Sequence, residues 1–246
     1  MTIPTRPLGS TGVEVSILGY GAMELRGPDA IAGPEIDDAD AGRLLNELLD
    51  GGVTLIDTSP DYGRSEELIG RYLNSRRDEF FLASKCGCPL EIEPDWDPPA
   101  VGAAHEYTPE RVRAGVEQSL ARLGTDRLDL VQVHMSPSRT RMESEGTIEA
   151  LGTLREEGKV RFIGISGTLP ELPDHIAMGV FDVFQIPYSG LQGEHEPCIA
   201  AAAEAGAGVL VRGATARGTA SEDKAWGTEP LAMGGRVGAQ RGIDVA

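Results

Sequence analysis

Strand-like and helix-like segments alternate almost without interruption along this 246-residue chain. That rhythm predicts repeated strand, helix, strand units around a parallel sheet, an α/β fold. Seven short apolar runs read as strands: 16–23 (SILGYGAM), 53–59 (VTLIDTS), 79–85 (EFFLASK), 129–135 (DLVQVHM), 161–167 (RFIGISG), 182–189 (DVFQIPYS) and 208–214 (GVLVRGA). They are runs rather than clean alternations, as expected of strands covered on both faces. Six helices fit among them, at 39–50, from Ser65 through Leu73, 108–123, 145–157, 170–178 and 195–205. The third is the best punctuated. Thr108 caps it, Pro109 suits its first turn, Val112, Val116, Leu120 and Leu123 make one apolar face, and Gly124 supplies a left-handed stop. Ahead of them all, residues 6–19 read as a hairpin turning at Ser10–Gly12.

Two stretches break the rhythm. Residues 88–107 form a long loop stiffened by Pro89, Pro94, Pro98 and Pro99, and Trp96 gives it an aromatic surface suited to lining a substrate pocket. The tail, 215–246, is rich in Gly and contains no recognisable eighth strand.

Composition narrows the partners. At 40% hydrophobic and 25% charged, the chain has globular proportions and length for one barrel or two smaller domains. Its formal charge of −17 repels phosphate backbones, so neither nucleic acid nor an anionic membrane is expected as a partner. No apolar run approaches the ~20 residues of a membrane span, and the first residues lack a secretory apolar stretch, so a cytoplasmic location is expected. Three Cys are too few to staple a fold of this size. Cys86 and Cys88 form a Cys-x-Cys after a strand, but no neighbouring His or Cys cluster completes a ligand set; no metal is expected, and both read as small packing side chains.

The chemistry lies at strand ends, where a parallel barrel displays reactive groups. Asp57, Tyr62, Lys85 and His134 are therefore expected at one mouth. A tyrosine with an ordinary pKa of ~10 surrenders its proton reluctantly; an adjacent Lys85 ammonium would stabilise the phenolate and lower that pKa. Asp57 would balance the lysine, and His134 would donate a hydrogen bond to a carbonyl oxygen. The site could protonate an oxygen as charge develops on it. No side chain supplies the hydride, so a nicotinamide cofactor is the natural source.

These residues sit in strings that resemble the aldo-keto reductase family: LIDTSPDYG, the SK pair closing the third strand, and the His of LDLVQVH, with LGSTGVEVSILGYGAM, EELIGRYL, LREEGKVRFIGIS and FQIPYSGLQ around them. The resemblance covers roughly residues 6–218. It implies a (β/α)8-type TIM barrel with an N-terminal β-hairpin, occupying 1–246 as one domain with 215–246 as an atypical tail. It also implies reduction of a small aldehyde or ketone with NADPH, NAD being possible. Tyr62 would be the proton donor, Lys85 and Asp57 its activating pair, and His134 the carbonyl-orienting group. Ser166 and Gln185 match positions that hold the nicotinamide amide, while Gly21, Ala22, Met23, Asp57, Arg212 and Gly213 would contact the rest of the cofactor. Trp96 and Met135 would meet substrate. The family often has Asn where this chain has Gly167, and it continues into an eighth strand and a phosphate-gripping helix not recognisable here, so the chain resembles a C-terminally shortened member. Two alternatives follow: a non-catalytic relative, or an NAD-dependent sugar or alcohol dehydrogenase. The oligomeric state is left open.

Overall fold

The structure, a computed structural model, describes residues 3–27, 36–90, 105–190 and 192–214. Trp96 and the tail 215–246 lie outside these residues. Seven strands form one parallel sheet in chain order: β3 (Tyr20–Gly21), β4 (Leu55–Asp57), β5 (Phe81–Cys86), β6 (Leu128–Val133), β7 (Val160–Ser166), β8 (Val183–Pro187) and β9 (Gly208–Arg212). The sheet curls into a nearly closed TIM-type barrel, with no pairing between β9 and β3 among the described residues. Helices α1 (Asp38–Asp50), α2 (Ser65–Leu73), α3 (Pro109–Leu123), α4 (Arg139–Glu145), α5 (Thr147–Glu156), α6 (Leu172–Met178) and α7 (Glu196–Glu204) follow the strands. No helix among the described residues is long and apolar enough to cross a membrane.

The apolar runs hide a period of two. Ile56, Leu82, Val131, Ile163, Ile165, Phe184 and Ile186 join one buried cluster with helix residues such as Leu45, Leu68, Val116 and Leu151. The intervening Leu55, Phe81, Ala83, Leu130 and Val183 form a separate inner cluster with Leu8 and Val15. Those last two belong to the hairpin β1 (Thr5–Pro7) and β2 (Glu14–Ser16), which supplies apolar side chains to the barrel's base. Its seat is close: a Cβ on Gly9, which has φ 53°, would come within 2.2 Å of the Gly208 amide nitrogen. Two residues further along the inner rows the chemistry changes. Leu55 gives way to Asp57, Ala83 to Lys85, Leu130 to Gln132, Gly164 to Ser166 and Val183 to Gln185. A nonpolar base and a polar mouth are thus written along five of the seven strands, β4 to β8.

One expectation needs correction, and one helix was not expected. The run 16–23 contributes only Tyr20–Gly21 to the sheet; Ala22–Arg26 turns into a short 3-10 helix held by Ser65 Oγ donating to the Ala22 carbonyl at 2.9 Å. The helix expected at 145–157 is preceded by a separate one, α4, capped by Ser138 and ended by Gly146 at φ 74°, where α5 begins. The expected helix is thus α5, while α4 was not expected at all, and the left-handed Gly146 separates the two.

Candidate active site

Strand ends and the loops after them bring the four expected catalytic residues together. Asp57 closes β4, Lys85 lies near the end of β5, His134 follows β6, and Tyr62 sits in the turn leading to α2. The Lys85 ammonium is 1% exposed and donates to Asp57 Oδ1 and Oδ2 at 2.9 and 2.8 Å and to the Thr58 carbonyl at 2.9 Å. Its three protons therefore have three acceptors. Gln132 Nε2 donates to Asp57 Oδ1 at 2.8 Å, completing the support a buried ion pair requires. Burial alone would lower the lysine pKa, but the Asp57 carboxylate overrides it and raises the value, so Lys85 is cationic.

Lys85 Nζ lies 5.3 Å from the centre of the Tyr62 ring, and the His134 ring meets Tyr62 edge-on at 6.4 Å. The sequence expectation that the ammonium would make Tyr62 more acidic is overturned for the resting site. Burial raises its pKa to about 12, and the opposing pull of Lys85 does not offset it. Tyr62 holds its proton throughout the physiological range.

His134 faces a second polar group that the sequence reading did not assemble. Its Nδ1 lies 3.3 Å from Asp61 Oδ2 and 3.4 Å from Cys88 Sγ, and His105 Nε2 lies 3.6 Å from the same Asp61 oxygen. Ser59 Oγ donates to Asp61 Oδ1. Burial favours a neutral Asp61, yet His134, His105 and Ser59 hold its carboxyl well below the usual range. Burial likewise keeps the His134 pKa below 6.5 despite the Asp61 charge, so at neutral pH the pair is carboxylate and neutral imidazole. Cys86 and Cys88 are both fully buried, and burial raises both thiols. Asp61 was visible one residue before Tyr62; nothing in the sequence spacing connects it to His105 or Cys88.

The remaining expected residues divide. A cleft of about 790 Å³ runs along the edges of β3 and β9 left unpaired among the described residues, from Leu8, Val15 and Val209 at the apolar base to Gly21, Asp57, Gln185, Arg212 and Gly213 at the mouth. Ser166 is buried beside it, its Oγ donating to Gln185 Oε1 at 3.1 Å. Ala22 is fully buried in the outer core, and the Met23 carbonyl accepts from Arg26 at 3.0 Å. Met135 stands 42% exposed immediately after His134, where it and Ser136 both have positive φ, 61° and 52°. That double left-handed step turns the chain sharply at the mouth.

The profile of the Aldo/keto reductase family matches residues 17–236. This chain belongs to that family. An aldo-keto reductase of Bacillus halodurans, in its holo form, superposes with a TM-score of 0.76 at 31% identity, covering 89% of this chain and 69% of that one. L-galactose dehydrogenase of Arabidopsis thaliana is 37% identical over 67% of this chain and 49% of its own length. The NADH-specific methylglyoxal reductase of Escherichia coli is 31% identical over 74% and 58% respectively. The chain thus spans about half the length of these two curated relatives.

Proposed function

We propose that this aldo/keto reductase family member reduces an aldehyde or ketone to the alcohol, with NADPH as hydride source. The observation that carries the reading is the convergence of Tyr62, Lys85, Asp57 and His134 at the polar mouth of a barrel whose adjoining cleft is lined by Gly21, Gln185 and Arg212. The cleft suits an extended cofactor: among the described residues a Cβ at Gly21 or Gly213 would meet nothing within 4 Å, leaving backbone open to close approach, and the Ser166–Gln185 pair offers polar atoms for a carboxamide. A nicotinamide cofactor held there by Ser166, Gln185 and Arg212 would supply the hydride.

The chain's own residues manage the oxygen. His134 has Nδ1 turned to Asp61 and Cys88, so the substrate oxygen meets Nε2, which donates to it in the tautomer that carries the ring proton on Nε2. Tyr62 delivers its proton to that oxygen as negative charge accumulates; even at a pKa of about 12 the phenol is a stronger acid than the alcohol formed. Lys85, held by Asp57, stabilises the phenolate left behind until solvent returns a proton. A small uncharged carbonyl compound suits a chain of net charge −17, and a cytoplasmic setting suits its three free thiols.

A second reading, oxidation of a sugar or alcohol with NAD, is favoured in direction by the similarity to the plant L-galactose dehydrogenase and in cofactor by that to the NADH-specific reductase. The two readings use the same residues in opposite directions. Purified chain is mixed with NADPH and a panel of aldehydes, and with NAD and a panel of sugars. Consumption of NADPH that falls about 100- to 10,000-fold in Tyr62→Phe supports the reductase reading. Turnover with NAD and a sugar alone favours the second, and no turnover, or unchanged turnover in Tyr62→Phe, refutes the mechanism.

A further inference from the structure

We propose that Asp61, Cys88, His105 and His134 form a tetrahedral zinc site behind the catalytic histidine. Asp61 Oδ2, Cys88 Sγ, His105 Nε2 and His134 Nδ1 all lie within 4.8 Å of one another. Three of the four residues are buried, and the His134 side chain is only 13% exposed.

Spacing distinguishes a ligand set from a hydrogen-bonded cluster. Bonds of about 2.0 to 2.3 Å to a tetrahedral zinc place the donor atoms about 3.3 to 3.8 Å apart. Three of the six separations, 3.3, 3.4 and 3.6 Å, fall on those edges, and all six lie within 4.8 Å. The two nitrogen–oxygen distances are longer than the ~2.9 Å of a good hydrogen bond. Donor chemistry agrees. One thiolate and one carboxylate match the two charges of the ion, and two neutral imidazoles complete a set suited to zinc rather than to magnesium or calcium. On binding, the Cys88 thiol proton leaves to solvent.

The ligands are held from behind. Ser59 Oγ donates to Asp61 Oδ1, the oxygen facing away from the imidazoles, and lies 3.5 Å from Cys88 Sγ. The His105 carbonyl accepts from Arg141 Nη2 at 2.9 Å, the Glu106 amide donates to the Gly87 carbonyl at 3.0 Å, and Tyr107 Oη donates to the His134 carbonyl at 2.7 Å. Such outer contacts orient ligands before the ion arrives.

A zinc ion on Nδ1 would also settle the His134 tautomer. With Nδ1–H donated to Asp61, a neutral imidazole has a bare Nε2 and cannot donate to a substrate oxygen. With Nδ1 bound to metal, the proton sits on Nε2, where carbonyl orientation needs it. This role rests on the reductase reading; the site itself does not, and its test needs neither cofactor nor substrate.

The test measures metal on the full-length chain. We expect about one zinc per chain by elemental analysis, either as purified or after chelator treatment and zinc addition. Replacing zinc with cobalt should give thiolate-to-metal charge transfer in the near ultraviolet and the visible bands of a four-coordinate ion. Cys88→Ser should abolish the charge transfer, and both Cys88→Ser and His105→Asn should weaken zinc binding by at least about 100-fold. A chain that takes up neither metal overturns the proposal, as do variants that bind as tightly as the parent. Should the variants fail to fold, the cobalt spectrum of the unaltered chain decides alone, absence of charge transfer refuting the site.

Discussion

Two polar groups border Tyr62, and they are spaced differently. Around Lys85, every contact with Asp57, Thr58 and Gln132 lies at 2.8 to 2.9 Å; around Asp61, the contacts with His134 and His105 stretch to 3.3 and 3.6 Å. In the first group each lysine proton is matched to an acceptor. The second has buried donors arranged at distances that suit an ion better than one another. Within one barrel mouth, the first group sets charge beside the phenol, and the second sets the orientation of the imidazole.

That contrast makes the groups respond differently to substitution. The largest effect on folding is expected at Lys85. Lys85→Met leaves the Asp57 carboxylate without its counter-ion and should lower unfolding free energy by about 3 to 5 kcal/mol in denaturant titration. A loss under about 1 kcal/mol would mean that Asp57 is solvated and the group is not closed. Gln132→Leu comes next, because it removes one hydrogen bond from the same carboxylate. The expected cost is about 1 to 2 kcal/mol, toward the low end for a charged acceptor, since Gln132 Oε1 is buried without a hydrogen-bond partner among the described residues.

The smallest effect is that of alkaline pH. The folded pKa of Tyr62, about 12, lies above its ordinary value, so folding favours the neutral phenol. Its contribution to stability is complete below about pH 10 and is lost as the pH rises through about 12. Saturated reduction rates should accordingly stay level from neutrality to about pH 10. An earlier decline would place the proton on a more acidic group than Tyr62.

Much of this arrangement was legible in the sequence, for physical reasons that also explain the rest. Capping and stop residues such as Thr108, Pro109 and Gly124 act locally, so α3 was readable almost to the residue. The run 16–23 misled because apolar character was taken for sheet, whereas Ile17 and Leu18 are 49% and 59% exposed and Ala22 is tied to α2. Asp57, Tyr62, Lys85 and His134 carry a shared signature at strand ends, and the barrel draws them together. The group around Asp61 carries no such signature: it is assembled from the turn before α2, from both ends of the 88–107 loop and from the end of β6. Burial at Tyr62, which reverses the expected pKa direction, is likewise a property of packing alone.

In the proposed reaction a hydride reaches the carbonyl carbon at this mouth while Tyr62 protonates the oxygen. The direct measurement uses NADPH deuterated at its reactive ring carbon, an aldehyde the chain consumes, and mass spectrometry of the alcohol. One deuterium is expected on the former carbonyl carbon, with product formation strongly reduced in Tyr62→Phe. Unlabelled alcohol, or labelled alcohol formed equally well without the Tyr62 hydroxyl, would contradict it.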